Sequence, residues 1–155
     1  MKGIKLILIA LAAVVTLTHF SSPATAAESG VHWLTYEQGL AKQQELKKPM
    51  LLFFHLSYCY RCKDMERKVY QDSKVINFIN QNFIPVIVDM DKEKQTVKKF
   101  GVNYTPTNVF IAPDGTTVLL GKGAIAKSRF ERMLEYVATE KYKTMKFDAY
   151  EKRQP

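Results

Sequence analysis

The chain of 155 residues has only two cysteines and three histidines. Two thiols cannot build a disulfide-stapled scaffold. A zinc site normally takes four ligands. Cys59 and Cys62, with His55 and the more distant His32, leave such a set short and badly spaced. Residue 63 is lysine rather than histidine, which excludes attachment of a c-type haem at the cysteine pair. No internal repeat, low-complexity stretch or nucleic-acid motif is present. No apolar run reaches the ~20 residues that a membrane-spanning helix requires. Acidic side chains are also few, 15 against 23 Lys and Arg, giving a formal charge of +8. With no nucleic-acid motif beside it, that excess reads first as solubility. An affinity for acidic partner surfaces or anionic lipid headgroups is the second reading. Neither a cofactor nor a metal is expected, and a soft ion such as Cu(I) is the alternative guest for two thiols.

What the N-terminus does have is a graded pattern. Lys2 and Lys5 carry positive charge, and Ile4 to Leu17 is nearly all apolar. A polar stretch, Thr18 to Pro23, leads into the small residues Ala24-Thr25-Ala26-Ala27. This is the order of a secretory signal peptide. Cleavage is expected after Ala26, so that residues 1–26 are removed and residues 27–155 form the mature domain. An uncleaved anchor is the alternative. No cysteine lies near the cut to carry a lipid. Loss of Lys2 and Lys5 lowers the formal charge from +8 to +6. The expected location is periplasmic or secreted.

The remaining chain reads as alternating helices and strands. Thr35-Tyr36-Glu37-Gln38 has the form of a capping box opening a helix that ends before Pro49. Met50 to Leu56 is a continuous apolar run, as in a strand buried on both faces. A helix from the cysteine pair to about Tyr70 follows. Asp72 or Ser73 caps a short helix to Asn82, and Ile84 to Asp89 is a second apolar strand with Pro85 near its start. Glu93 to Phe100 is helical, with Gly101 at its C-terminal cap. Lys92, Lys94, Lys98 and Lys99 mark its solvated face. Asn108 to Ile111 and Thr116 to Leu120 are strands joined by the turn Pro113-Asp114-Gly115. Ser128-Arg129-Phe130-Glu131 reads as another capping box before a helix carrying Phe130, Leu134 and Val137 on one face. After Tyr142 the tail loses periodicity, as a last helical turn or a mobile end. A short extra strand around Val31 to Leu34 is possible on pattern. Helices between the first strands predict parallel pairing, and the last two strands an antiparallel hairpin. The expected class is α/β, one mixed sheet with helices on both faces.

Cys59 and Cys62 lie three residues apart, so the loop that they close is too small to stabilise the fold through chain entropy. They follow a buried strand and open a helix. Unpaired N–H groups and partial positive charge at such an end stabilise a thiolate. Arg61 adds a cation. Cys59, outermost, is expected to be accessible and Cys62, one turn further in, partly buried. That polarity sets a sequence of events: Cys59 attacks a disulfide and Cys62 resolves the mixed disulfide.

The segment Lys48-Pro49, apolar strand, Tyr58-Cys59-Tyr60-Arg61-Cys62-Lys63 resembles the active-site region of thioredoxin-like proteins. Tyr104-Thr105-Pro106-Thr107 before a strand resembles their cis-proline loop. Asp114-Gly115 and Gly121 also fit, so the resemblance covers about residues 33–140. It is nearest in character to exported members such as the C-terminal domain of the DsbD reductase and the SoxW-type proteins. The resemblance implies a thioredoxin fold and a redox-active disulfide between Cys59 and Cys62. It further implies a cis Pro106 facing that pair, and a substrate surface formed by Tyr58, Tyr60, Thr105 and Pro106. An ordinary trans proline is the alternative for Pro106.

The chain also departs from the family. Tyr58 stands where most thioredoxins have tryptophan, and Tyr60-Arg61 replaces Gly-Pro. Phe53 replaces the buried aspartate that exchanges protons with the inner cysteine. Glu66, four residues after Cys62, is the candidate substitute, because DsbD-like domains have glutamate there. A surface glutamate pairing with Lys63 or Tyr70 is the competing assignment. His55, four residues before Cys59, either tunes the thiol or satisfies itself at the sheet edge. The function implied is a monomeric protein-disulfide oxidoreductase that reduces exported disulfide-containing proteins, or exchanges with their dithiols. A membrane thiol reductase is the implied electron donor. The alternative is a partner-binding, chaperone or copper-binding module with little turnover.

Overall fold

In the computed structural model, residues 29–154 are described. The expected signal segment, residues 1–26, and its cleavage point lie outside them. Strands β1 (Met50–His55), β2 (Ile84–Asp89), β3 (Thr107–Ile111) and β4 (Thr117–Lys122) form one sheet in the order β2-β1-β3-β4. The β1–β2 pair is parallel, and β3 runs antiparallel to both β1 and β4. The sheet is therefore mixed, as its sequence pattern predicts.

The apolar run of β1 divides by the two-residue period of a strand. Met50, Leu52 and Phe54 face one way, against Tyr36, Val102 and Phe100. Leu51 and Phe53 face the other way, against Val75, Ile79, Phe130 and Leu134. Both faces need cover. Helices α1 (Tyr36–Leu46) and α4 (Lys94–Phe100) supply it on the first. On the second, α2 (Tyr60–Met65), α3 (Ser73–Asn82) and α5 (Lys127–Ala138) do so. Gly39 lets α1 lie close on β2, because a Cβ there would collide with the Val86 side chain. Among the described residues no helix is long and apolar enough to cross a membrane.

Local chemistry fixes several helix ends. The Thr35 hydroxyl accepts from the Gln38 backbone N–H and the Gln38 side chain accepts from that of Thr35, the reciprocal capping box. Asp72 caps α3 through the N–H groups of Lys74 and Val75. Gly101 takes the left-handed conformation after α4 (φ 61°). The expected box at Ser128 is not formed: α5 begins two residues earlier, with Ala126 at the cap and no side-chain cap bond. Lys127 instead turns its ammonium to Asp72 at 2.7 Å, tying the starts of α3 and α5 together.

Two segments of uncertain pattern also have definite places. Residues 31–34 contribute no full strand. Leu34 alone bridges to β2, donating to Pro85 O and accepting from Ile87 N–H. The tail forms a 3-10 turn (Lys141–Lys143) and α6 (Phe147–Glu151). Phe147 and Tyr150 are buried against Tyr136, with ring centroids 5.3 Å from it in each case.

Candidate functional site

Buried β1 delivers the chain to one end of the sheet, and Cys59 occupies the cap of the helix that begins there. Its backbone is extended, and its N–H donates to Leu56 O at 3.0 Å. Its carbonyl accepts from Cys62 and Lys63, and its Sγ accepts from the Cys62 N–H at 3.1 Å. The sulfur thus accepts from an amide in the first turn of the helix. Cys59 and Cys62 are joined as a disulfide, with Cα atoms 5.2 Å apart. Cys62 is fully buried among Phe53, Met65 and Tyr70, while Cys59 is partly exposed. The two sulfurs are therefore unequal, and only the outer one offers itself to a large partner.

Around Cys59 the surface is aromatic. Tyr58 is 70% exposed and Tyr60 76% exposed. Asp91 beside the Tyr58 phenol raises its pKa, because phenolate would sit next to a carboxylate. The loop that enters β3 lies against Arg61, a residue between the cysteines. Its Thr105–Pro106 bond is cis, the Thr107 hydroxyl donates to Tyr104 O at 2.7 Å, and Gly123 N–H donates to Pro106 O at 2.7 Å. Arg61 does not turn back to the cysteines. Its Nη1 donates to the Tyr104 hydroxyl at 3.0 Å, joining the active-site helix to that loop.

The ground beneath Cys62 departs most from an acid-bearing site. Phe53 is fully buried, stacked 5.6 Å from His55 and packed on Trp33 and Tyr70. Its neighbour across the parallel pair is Ile87, so no charge lies on that rung. The buried polar groups are Tyr70, whose hydroxyl donates to Asn108 Oδ1, and Asn108, whose amide reaches Met65 Sδ at 3.6 Å. Burial, and then the Glu66 carboxylate, hold the Tyr70 phenol well above its ordinary pKa.

From Glu66 to Tyr70 the helix widens into a π turn, a distortion that recurs at functional sites. Val69 and Tyr70, adjacent in the chain, are both buried, while Glu66 stays 40% exposed. Glu66 pairs with neither Lys63 nor Tyr70; its Oε1 lies 3.5 Å from His55 Nδ1. His55 also faces Asp89, its register partner on β2, and Glu93. Sequence reasoning singled out Glu66 and His55 separately but did not pair them. It named Tyr70 only as a possible partner of Glu66 and Asn108 only as a strand residue, and did not foresee their buried contact, which spans 38 positions. No group of three or more His, Cys, Asp or Glu placed to hold a metal ion occurs among the described residues.

Comparison with known proteins agrees with this geometry. Residues 36–138 match the family of thioredoxin-like domains. An uncharacterized protein of Archaeoglobus fulgidus is 33% identical over 99 residues, covering 63% of this chain and 75% of that one. Spermatogenesis-associated protein 20 of Rattus norvegicus is 27% identical over 97 residues, but the match spans only 12% of its length. Among solved structures, a thioredoxin from Thermus thermophilus superposes with a TM-score of 0.66 at 24% identity, covering 72% of this chain and 89% of its own. An oxidoreductase named DsbH superposes at 0.64 with 20% identity, covering 78% and 92%. The chain belongs to the thioredoxin-like family, and its helix-capping Cys59–Cys62 disulfide makes it a thiol-disulfide oxidoreductase.

Proposed function

We propose that the protein acts outside the cytoplasm as a reductant of disulfides in partner proteins. The inequality of the two sulfurs carries this reading: Cys59 is partly exposed on a helix start, and Cys62 is buried behind it. In the reduced protein the Cys59 thiolate attacks one sulfur of a partner disulfide. A Cys59–partner bond forms, the partner disulfide breaks, and one partner thiolate leaves. Cys62 then loses its proton and attacks Cys59 Sγ. The second partner thiolate leaves, the partner has gained two electrons, and Cys59–Cys62 is oxidised. A dithiol donor must restore the reduced pair, and a membrane thiol reductase fits an exported protein. Tyr58, Tyr60, Thr105 and Pro106 form the surface on which the partner chain lies. Glu66 takes the Cys62 proton.

Two features support the direction and the location. Only α4, seven residues long, lies between β2 and β3, so the large helical insertion of dedicated oxidants is missing there. The basic-apolar-small order of residues 1–27 supports export. The test is a Cys62→Ser variant expressed with its full N-terminus. Exported proteins trapped on Cys59 as mixed disulfides, together with a strongly reducing potential of the wild-type pair, are the expected result. A potential at the oxidising end of the family range would reverse the direction. An absence of trapped partners would remove the exchange.

A further inference from the structure

An open pocket of about 480 Å³ lies beside the disulfide, lined by Arg61, Asn103, Tyr104, Lys122, Gly123 and Ala124. It is built from both halves of the site. Arg61 sits between the cysteines in the chain, and Tyr104 belongs to the loop that enters β3. Lys122 is the register partner of Thr107, the residue that follows Pro106. The bond from Gly123 N–H to Pro106 O fixes the strand end against that loop.

The charges around the disulfide are unevenly distributed. On the Tyr58 flank Asp89 pairs with Lys92 and Asp91 with Lys94, so charge is largely cancelled. On the pocket flank stand two cations, and the lining holds no carboxylate. Among the described residues neither Arg61 nor Lys122 has an ion-pair partner. Arg61 is nevertheless held in place, because its Nη1 donates to the Tyr104 hydroxyl. A guanidinium presents five donors in a planar fork, so donors beyond the one given to Tyr104 remain for an occupant of the pocket.

We propose that this pocket is a subsite for an acidic side chain of the polypeptide whose disulfide is reduced, close in sequence to the cysteine that Cys59 attacks. The proposal rests on the exchange reading above and adds a substrate class to it. A carboxylate entering here would meet the Arg61 guanidinium and the exposed Lys122 ammonium. It would orient the partner chain across the disulfide with its acidic side toward Lys122 and away from Asp91.

The test compares two synthetic peptides, each carrying one disulfide to the same uncharged thiol and differing only in Glu or Gln beside the cysteine. Their rates with the reduced protein are measured at low ionic strength. The Glu peptide is expected to react about five- to tenfold faster, an advantage lost as salt is added. The ratio is expected to fall but stay above one in Lys122→Gln, where Arg61 remains, and to reach about one in Lys122→Glu. In Lys94→Glu, the same charge change on the opposite flank, it is expected to hold. Equal rates in the wild type would overturn the subsite while leaving exchange intact. A ratio that falls as far in Lys94→Glu as in Lys122→Glu would assign the preference to overall charge and overturn it too. If neither peptide is reduced, the exchange reading falls and the subsite with it.

Discussion

Oε1 of Glu66 faces Nδ1 of His55 at 3.5 Å, joining the first π-turn residue to the end of the central strand. The pair lies where the chain passes from sheet to active-site helix, on the side from which Phe53 has displaced any buried acid. If Glu66 receives the Cys62 proton, Glu66→Gln slows resolution of the mixed disulfide by about tenfold near neutral pH. It also flattens the rise of that step with pH. Stopped-flow measurement of the second step from about pH 5 to 9 checks this. An unchanged profile would remove Glu66 from proton handling.

Tyr70 and Asn108 form the buried polar contact beneath the disulfide. In Tyr70→Phe the Asn108 carbonyl loses its donor in a place that water does not reach. A loss of about 1–3 kcal/mol in denaturant unfolding is expected. Because burial raises the Tyr70 pKa, wild-type absorbance at alkaline pH should show this phenol ionising only on unfolding.

The Asp72 carboxylate is held below its ordinary pKa by the Lys127 ammonium and by the backbone N–H groups of Val75 and Lys74. A depressed pKa contributes stability above the unfolded value, ~3.9 for aspartate. That contribution is lost as pH falls through the folded value. Asp72→Ala should therefore cost about 1 kcal/mol at neutral pH, a lost helix cap. The two proteins should converge in stability below that window. Paired chemical denaturation at neutral and acid pH reads the difference.

Phe147 docks the tail on α5: its ring packs on Tyr136, and Arg129 lies over it at 5.7 Å. Phe147→Ala should destabilise the protein by about 3 kcal/mol. Thermal unfolding, with proteolysis at the tail as a second readout, tests whether these residues belong to the core.

Strands β1 and β2 were legible because fully buried strands read as unbroken apolar runs. Thr35 and Asp72 were legible because a cap is a local bargain between a side chain and N–H groups two or three residues on. Ser128 shows the limit of that logic. The same Ser-x-x-Glu pattern is present, but α5 starts at Lys127, whose ammonium binds Asp72 across 55 positions. The C-terminal end of α1 gave no glycine signal either, since Lys47 itself takes the left-handed conformation. The unequal exposure of the two cysteines could be read from their place at the start of a helix that follows a buried strand. The His55–Glu66 pair could not, because it depends on a π turn that α-helical periodicity does not announce. Lys122 reaches the site only through the β3–β4 register, and the tail looked aperiodic because its buried Phe147 and Tyr150 sit on a single short helix.

The central claim is that Cys59 attacks and Cys62 resolves, and the relative alkylation rates of the two thiols in the reduced protein test it most directly. At neutral pH, with brief exposure to iodoacetamide and peptide mapping, Cys59 should be modified at least about tenfold faster than Cys62. The singly modified protein should no longer exchange. Equal labelling of the two thiols, or faster labelling of Cys62, would contradict the account.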